Sequence, residues 1–80
     1  MRINITMEIR VGDQIPYSCW TDQLDFGLAI GSGDTEEDCL SDLRSCYFDM
    51  IEMWKREGNI IQEKYYDPEF IVFYYVNEGN

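Results

Sequence analysis

One stretch of helical periodicity constrains the fold of this chain more than any other feature. Between residues 36 and 57, apolar side chains recur at spacings of three and four and form a single stripe spanning about 160° of a helix surface. Thr35 is a favourable N-cap for this stretch, and Gly58 suits the position just past its C-terminal end. We predict one amphipathic helix over 36–57. Its apolar stripe comprises Cys39, Leu40, Leu43, Cys46, Tyr47, Met50, Ile51, Met53 and Trp54.

The segments on either side of this helix have the two-residue period of β-strands. At the start of the chain, Ile3, Ile5 and Met7 alternate with polar residues, which is typical of a strand with one buried face. The last extended segment is apolar on both faces, so it needs cover on both sides. We predict strands at residues 2–10, 15–21, 26–31 and 69–76.

The element order β-β-β-α-β predicts a single α+β domain over residues 1–80. Short hairpin loops and a right-handed crossover place the strands in the order 3-2-1-4, with the helix on one face. The fourth strand is then an edge, and Ile71, Phe73 and Tyr75 lie on the face that the helix does not cover. Because proteins seldom leave such an edge bare, we expect these residues to mediate self-association into a homo-oligomer.

The charge of the chain limits its partners. Sixteen acidic residues against six basic ones give a net charge of -10, which disfavours direct binding to nucleic acid or to an anionic membrane. A hydrophobic fraction of 45% and an aromatic fraction of 15% argue against intrinsic disorder. No apolar run is long enough to span a bilayer, and the chain opens without a signal-peptide core, so we expect a cytoplasmic protein.

The residues needed for common catalytic and metal sites are sparse. The chain has no histidine, and its three cysteines form no CxxC pair. Cys39 and Cys46 fit buried apolar positions better than a ligand or redox pair. Gly27, Gly31 and Gly33 have no lysine beside them and do not form a phosphate loop. We therefore predict a protein that is not an enzyme, with no catalytic, cofactor or metal residues.

An acidic cluster at the start of the helix supports a less favoured alternative. Its carboxylates suit helix capping and the helix dipole, and most fall on the solvated face. The alternative is a metal-dependent hydrolase that uses the same carboxylates. The cluster consists of Asp34, Glu36, Glu37, Asp38 and Asp42.

Four residues are candidates for a partner surface. Trp20, Asp22 and Asp25 lie around a predicted turn and would form an acidic, aromatic rim that suits a basic partner. Turn formation is the alternative role for the two aspartates. Phe48 projects from the helix away from the apolar stripe, either as a contact residue or as a partly covered surface side chain.

The start of the helix carries a resemblance to a known family. The run Gly33-Asp34-Thr35-Glu36-Glu37-Asp38-Cys39 resembles the Gly-Asp-Thr-x-Glu-Glu-Ala run of the HicB-like antitoxins, with Asp38 and Cys39 as the departures. The family's Pro-Gly-Cys segment is reduced here to Gly27, and residues 56–61 are similar to the family's helix exit.

The resemblance implies a β-β-β-α-β, partial ribonuclease-H-like fold and a non-catalytic, protein-binding function. HicB-type antitoxins cover a small basic toxin that cleaves messenger RNA, and an acidic protein suits that role. Family members also carry a C-terminal DNA-binding segment, which we do not expect here because the sequence ends soon after the fourth strand. The alternative to an antitoxin is an orphan self-assembling domain with an unknown ligand.

Overall fold

A computed structural model describes residues 1–78 of the chain. In chain order the elements are β1 (Arg2–Arg10), β2 (Tyr17–Thr21), β3 (Ile30–Gly33), α1 (Glu36–Arg56), a short 3₁₀ helix (Glu63–Tyr66) and β4 (Glu69–Asn77). The four strands form one sheet in the order β3-β2-β1-β4, with β2 antiparallel to both of its neighbours and β4 parallel to β1. This arrangement confirms the predicted α+β class, the 3-2-1-4 order and the single helix. Residues 79 and 80 of the predicted domain lie outside the described residues.

The ends of α1 follow from local capping chemistry. The Thr35 hydroxyl accepts a hydrogen bond from the Asp38 backbone N–H at 3.1 Å, which confirms Thr35 as the N-cap. At the other end Gly58 has φ +91°, the left-handed conformation expected just past a helix. The buried stripe is narrower than predicted, because Met53 is more than half exposed. The fully buried helix residues are Cys39, Leu43, Tyr47 and Ile51.

The core lies between α1 and one face of the sheet. Ile3, Ile5 and Met7 of the central strand are almost fully buried, as their alternation predicted. The Tyr47 ring meets the Phe26 and Phe70 rings edge-on, each at a centroid distance of 5.5 Å. This single layer of apolar side chains leaves the opposite face of the sheet without a covering element among residues 1–78.

The bounds predicted for the third strand, 26–31, were wrong, because the strand spans Ile30–Gly33. Leu24 and Gly27 exchange backbone hydrogen bonds of 3.0 and 3.1 Å, and Gly27 has φ +114°, so the chain still turns at these residues. Ala29 is held by the buried Thr21 hydroxyl, which accepts from its N–H at 3.1 Å. The strand therefore begins at Ile30, which is exposed, whereas Phe26 is buried in the core.

Two smaller differences also arise from turn chemistry. The second strand was expected from residue 15 but begins at Tyr17, because Pro16 has no N–H to donate and its carbonyl instead accepts from the Arg10 N–H at 2.7 Å. The segment between α1 and β4, for which no element was predicted, contains the 3₁₀ helix. Its Tyr65 is buried, and its backbone carbonyl accepts a 2.8 Å hydrogen bond from the Tyr47 hydroxyl.

Two glycines set where α1 lies on the sheet. A Cβ at Gly31 would lie 2.5 Å from both Cys39 O and Leu43 N, and one at Gly33 would lie 2.7 Å from Cys39 N. The backbones of helix and strand can approach this closely only because both residues lack a side chain. Within residues 1–78, the α1 Cα atoms come within 8 Å of β2 and β3 but not of β1 or β4. The helix is thus displaced toward β3, away from β4.

Candidate interaction surface

The sheet face opposite α1, here called the open face, carries exposed apolar side chains on three strands. The register places Ile30 beside Trp20, and Thr6 lies between Trp20 and Phe73. Ile30, Phe73 and Tyr75 are more than half exposed, and Trp20 is 37% exposed. Exposed apolar patches of this kind mark interaction sites more often than isolated apolar residues do. The apolar members of the open face are Trp20, Ile30, Ile71, Phe73 and Tyr75.

The outer edge of β4 is the second part of the surface. The Glu69 N–H donates to Met1 O at 2.7 Å, and Asn77 O accepts from the Val11 N–H at 3.1 Å, so odd-numbered residues of β4 face β1. In a parallel ladder the bonding residues alternate, so the even-numbered residues direct their N–H and C=O groups outward. Within residues 1–78 no strand pairs with this side. The outward residues are Phe70, Val72, Tyr74 and Val76.

The helix side of β4 is also incompletely covered. Because α1 lies over β2 and β3, Tyr74 and Val76 are 56% and 55% exposed although they occupy the face on which the core lies. The Tyr74 hydroxyl donates to the Glu36 carboxylate, and this hydrogen bond raises the pKa of Tyr74. The C-terminal half of β4 thus exposes large side chains on both faces, and its edge exposes backbone N–H and C=O groups.

The opposite edge of the sheet, at β3, is protected. β3 has four residues, whereas β4 has nine. The Ser32 backbone N–H, which points away from β2, donates to the Asp42 carboxylate at 3.0 Å. A side chain of α1 therefore occupies a backbone group that an incoming strand would need.

The predicted partner residues fall on two sides of the molecule. Trp20 lies on the open face, and so does Asp22, whose carboxylate accepts from the Asn4 amide at 3.2 Å. Asp25 lies beside the buried Tyr65, on the helix side of the sheet. Burial is the larger cause of the raised pKa of Tyr65, and its hydrogen bond with Asp25 is the second. Phe48 is 37% exposed on α1, edge-on to Tyr47. The four residues therefore do not form one continuous surface.

The predicted self-association residues do lie together. Phe73 and Tyr75 are exposed on the open face of the edge strand, and Ile71 is half-buried beside them. Sequence reasoning missed Ile30, which extends this surface across to β3. The available signal was Gly31 and Gly33, since two small residues at the strand period mark a strand whose other face carries Ile30 and Ser32.

Most carboxylates among residues 1–78 have no ionic partner. Within residues 1–78 the ion pairs join Arg10 to Glu8 and Asp13, at 3.4 and 3.2 Å, and Lys55 to Glu52 at 3.8 Å. All of these residues are at least partly exposed, so the pairs contribute little to stability. The remaining carboxylates give the domain a negative field that would attract a basic partner.

The acidic cluster at the start of α1 is dispersed by the fold. Glu36 meets Tyr74 of β4, and Asp42 reaches the backbone of β3. Across residues 1–78, no three side chains of the metal-ligating types converge on a point that could hold an ion. Among the same residues, no helix is both long and apolar enough to cross a bilayer.

Comparison with known proteins identifies no relative of this chain. No protein-family model, curated protein or solved structure matches the chain.

Proposed function

We propose that this chain is a non-catalytic protein-binding domain that self-associates by pairing the β4 edge of two copies. The observation that carries the proposal is the nine-residue edge strand, uncharged from Phe70 to Val76, whose outward backbone groups have no partner within residues 1–78. Such an edge is a template for strand addition. A second copy presents the same edge, so a two-fold axis would pair the strands antiparallel.

The side chains of β4 suit this arrangement. Pairing two edges would join the sheets into one continuous sheet and place the Phe73 and Tyr75 side chains of both copies side by side on the open face. Tyr74 and Val76 would gain neighbours on the other face at the same time. Dimerisation would bury aromatic side chains that are exposed on both faces, in addition to forming backbone hydrogen bonds. Each fully buried large side chain contributes about 1.5–3 kcal/mol.

The test is the mass of the protein in solution, measured by sedimentation equilibrium at tens of micromolar. We expect a dimer for the wild type and a monomer for Tyr74→Pro. Tyr74 directs its N–H outward, so proline there removes a group needed for edge pairing while sparing the ladder to β1. Tyr74→Ala is the matched control, because it removes the same side chain but keeps the N–H. A monomeric wild type at this concentration overturns the proposal.

We further propose the specific role that the resemblance implies, namely that the domain covers a small basic toxin in the manner of HicB-type antitoxins. The β-β-β-α-β order and the Thr35 cap agree with the resemblance, and the uncompensated negative charge suits a basic nuclease. Trp20 and Asp22, which lie on the open face, are the residues that we propose contact the toxin. A cytoplasmic location belongs to this proposal.

Co-purification tests the antitoxin role separately from self-association. The chain is expressed together with the reading frames that flank its own gene, and the complex is isolated at low and high salt. We expect a small basic protein to co-purify, to inhibit growth when expressed alone, and to dissociate more readily as salt screens the charges. If no flanking product binds or inhibits growth, the antitoxin role is wrong even where the dimer forms.

A further inference from the structure

Two cysteine side chains from different elements meet in the core beside β3. Cys19 lies on β2 and Cys39 lies in the first turns of α1, and their Sγ atoms are 3.0 Å apart. Both side chains are buried, with exposures of 1% and 0%. An approach of about 1 Å would bring the sulfurs to the length of a disulfide bond, about 2.05 Å.

We propose that Cys19 and Cys39 form an intramolecular disulfide when the protein meets a small disulfide oxidant such as oxidised glutathione. The thiolate of one cysteine attacks the oxidant, which forms a mixed disulfide and releases one glutathione thiolate. The second cysteine's thiolate then attacks the protein sulfur of that mixed disulfide and releases the second. Two cysteines are oxidised, one oxidant is reduced to two thiols, and the two cysteine protons pass to the glutathione thiolates. This inference is independent of the proposed function.

The surroundings of the pair make the reaction slow rather than impossible. Burial raises the pKa of both thiols, so few thiolates exist in the closed structure. Cys39 lies near the N-terminal end of α1, and helix ends open locally at low free-energy cost. A cavity of about 310 Å³ has Cys19, Gly31 and Asp42 in its wall. We expect the oxidant to react when this end of α1 opens.

The third cysteine provides an internal control. Cys46 is only half-buried, and its Sγ lies 3.7 Å from the Met50 Sδ. It lies along α1 from Cys39, outside the pair. We therefore expect Cys46 to form at most a mixed disulfide with glutathione, whereas Cys19 and Cys39 bond to each other.

The bond would connect β2 to the start of α1. It would close a loop between residues 20 positions apart in the chain. Closing such a loop restricts the unfolded chain, and the resulting increase in Tm is on the order of 10 °C. The helix start that covers β3 would then be covalently fixed to the sheet.

The experiment treats the folded wild-type chain with oxidised glutathione, then denatures it and alkylates the remaining thiols. We expect the mass to show a loss of about 2 Da from the paired cysteines, and peptide mapping to locate the bond between Cys19 and Cys39. Cys46→Ala retains both cysteines and should give the same bond and the same increase in Tm. Cys39→Ala should give neither.

Three outcomes overturn the inference. They are three alkylatable thiols after prolonged treatment, a disulfide that includes Cys46, and stable glutathione adducts on Cys19 or Cys39. If Cys39→Ala does not fold, the wild-type map and the Cys46→Ala map still decide the matter.

Discussion

The two edges of the sheet use their backbone groups in different ways. At β3 the strand is short, α1 lies directly over it, and the Asp42 carboxylate occupies the outward Ser32 N–H. At β4 the strand is more than twice as long, α1 is displaced away from it, and its outward N–H and C=O groups are unpaired within residues 1–78. The close glycine contact thus accounts for both conditions, because a helix placed over β3 leaves the C-terminal half of β4 uncovered.

This difference shows which edge is available for binding. Proteins protect sheet edges with short strands, charges or covering elements, and β3 has the first and the last of these. β4 is long, α1 does not cover its C-terminal half, and Phe73, Tyr74 and Tyr75 are exposed there on both faces. We therefore propose β4, and not β3, as the edge that binds a second copy.

The largest expected effect is at the β3 contact. Gly31→Ala would place a Cβ 2.5 Å from helix backbone atoms, which cannot move aside as a flexible side chain could. We expect the free energy of unfolding to fall by about 3 kcal/mol or more, measured by urea denaturation. Gly12→Ala is the control, since nothing lies within 4 Å of its Cβ position. Its positive φ alone should cost about 1–2 kcal/mol. Equal losses in the two variants would contradict the close helix approach.

The next effect is on the β4 edge. We expect Tyr74→Pro to weaken dimerisation at least about tenfold relative to Tyr74→Ala, equivalent to about 1.4 kcal/mol, because only the proline removes the outward N–H. Sedimentation equilibrium over a range of concentrations gives both dissociation constants. Indistinguishable constants for the two variants would show that the association does not use the edge backbone.

A third effect concerns the tie between α1 and the segment that leads into β4. The Tyr47 hydroxyl donates to the Tyr65 carbonyl, and burial raises the pKa of Tyr47 to about 12. We expect Tyr47→Phe to lower the free energy of unfolding by about 1–2 kcal/mol at neutral pH, because the buried carbonyl loses its partner.

The same tie should depend on pH with a defined sign. Tyr47 ionises near pH 10 in the unfolded chain but near pH 12 in the folded one, so its contribution is complete below pH 10 and falls as the pH rises through this window. We expect the stability advantage of the wild type over Tyr47→Phe to shrink over that range, as measured by urea denaturation at each pH. A stability advantage that grows with pH would contradict a raised pKa of Tyr47 in the folded chain.

The smallest effect is at the protected edge itself. Asp42→Ala removes the acceptor of the Ser32 N–H and should cost about 0.5–1.5 kcal/mol of folding stability. Asp42→Asn keeps an acceptor oxygen and should lose less. Equal losses in both variants would show that the charge of Asp42, rather than its hydrogen bond to β3, accounts for its contribution.

The sequence could predict the elements whose signals are local. The helix was expected over 36–57 and spans Glu36–Arg56, because the Thr35 cap, the acidic first turn and Gly58 all act within a few residues of its ends. The central strand was predicted with its observed bounds, since its alternation needs only one covering face. The position of β4 at the edge followed from the order of the elements.

The failures that matter most for the surface depend on contacts between residues distant in the chain. The third strand was misplaced because Gly31 and Gly33 lie in the strand where α1 packs closely against it. That close approach cannot be predicted from the local sequence pattern. Because of that error, Ile30 was not predicted to lie on the open face. Phe73 and Tyr75 were predicted on the uncovered side and lie there, but Asp25 and Phe48 lie on the other side of the sheet from Trp20.

Amide hydrogen exchange along β4, followed residue by residue by NMR at low and high protein concentration, tests the central claim most directly. We predict that the amides facing β1, those of Ile71, Phe73 and Tyr75, are protected at both concentrations. The outward amides of Val72, Tyr74 and Val76 should become protected only as the dimer forms. Outward amides that exchange equally fast at every concentration would contradict the claim that β4 is the edge through which this protein binds.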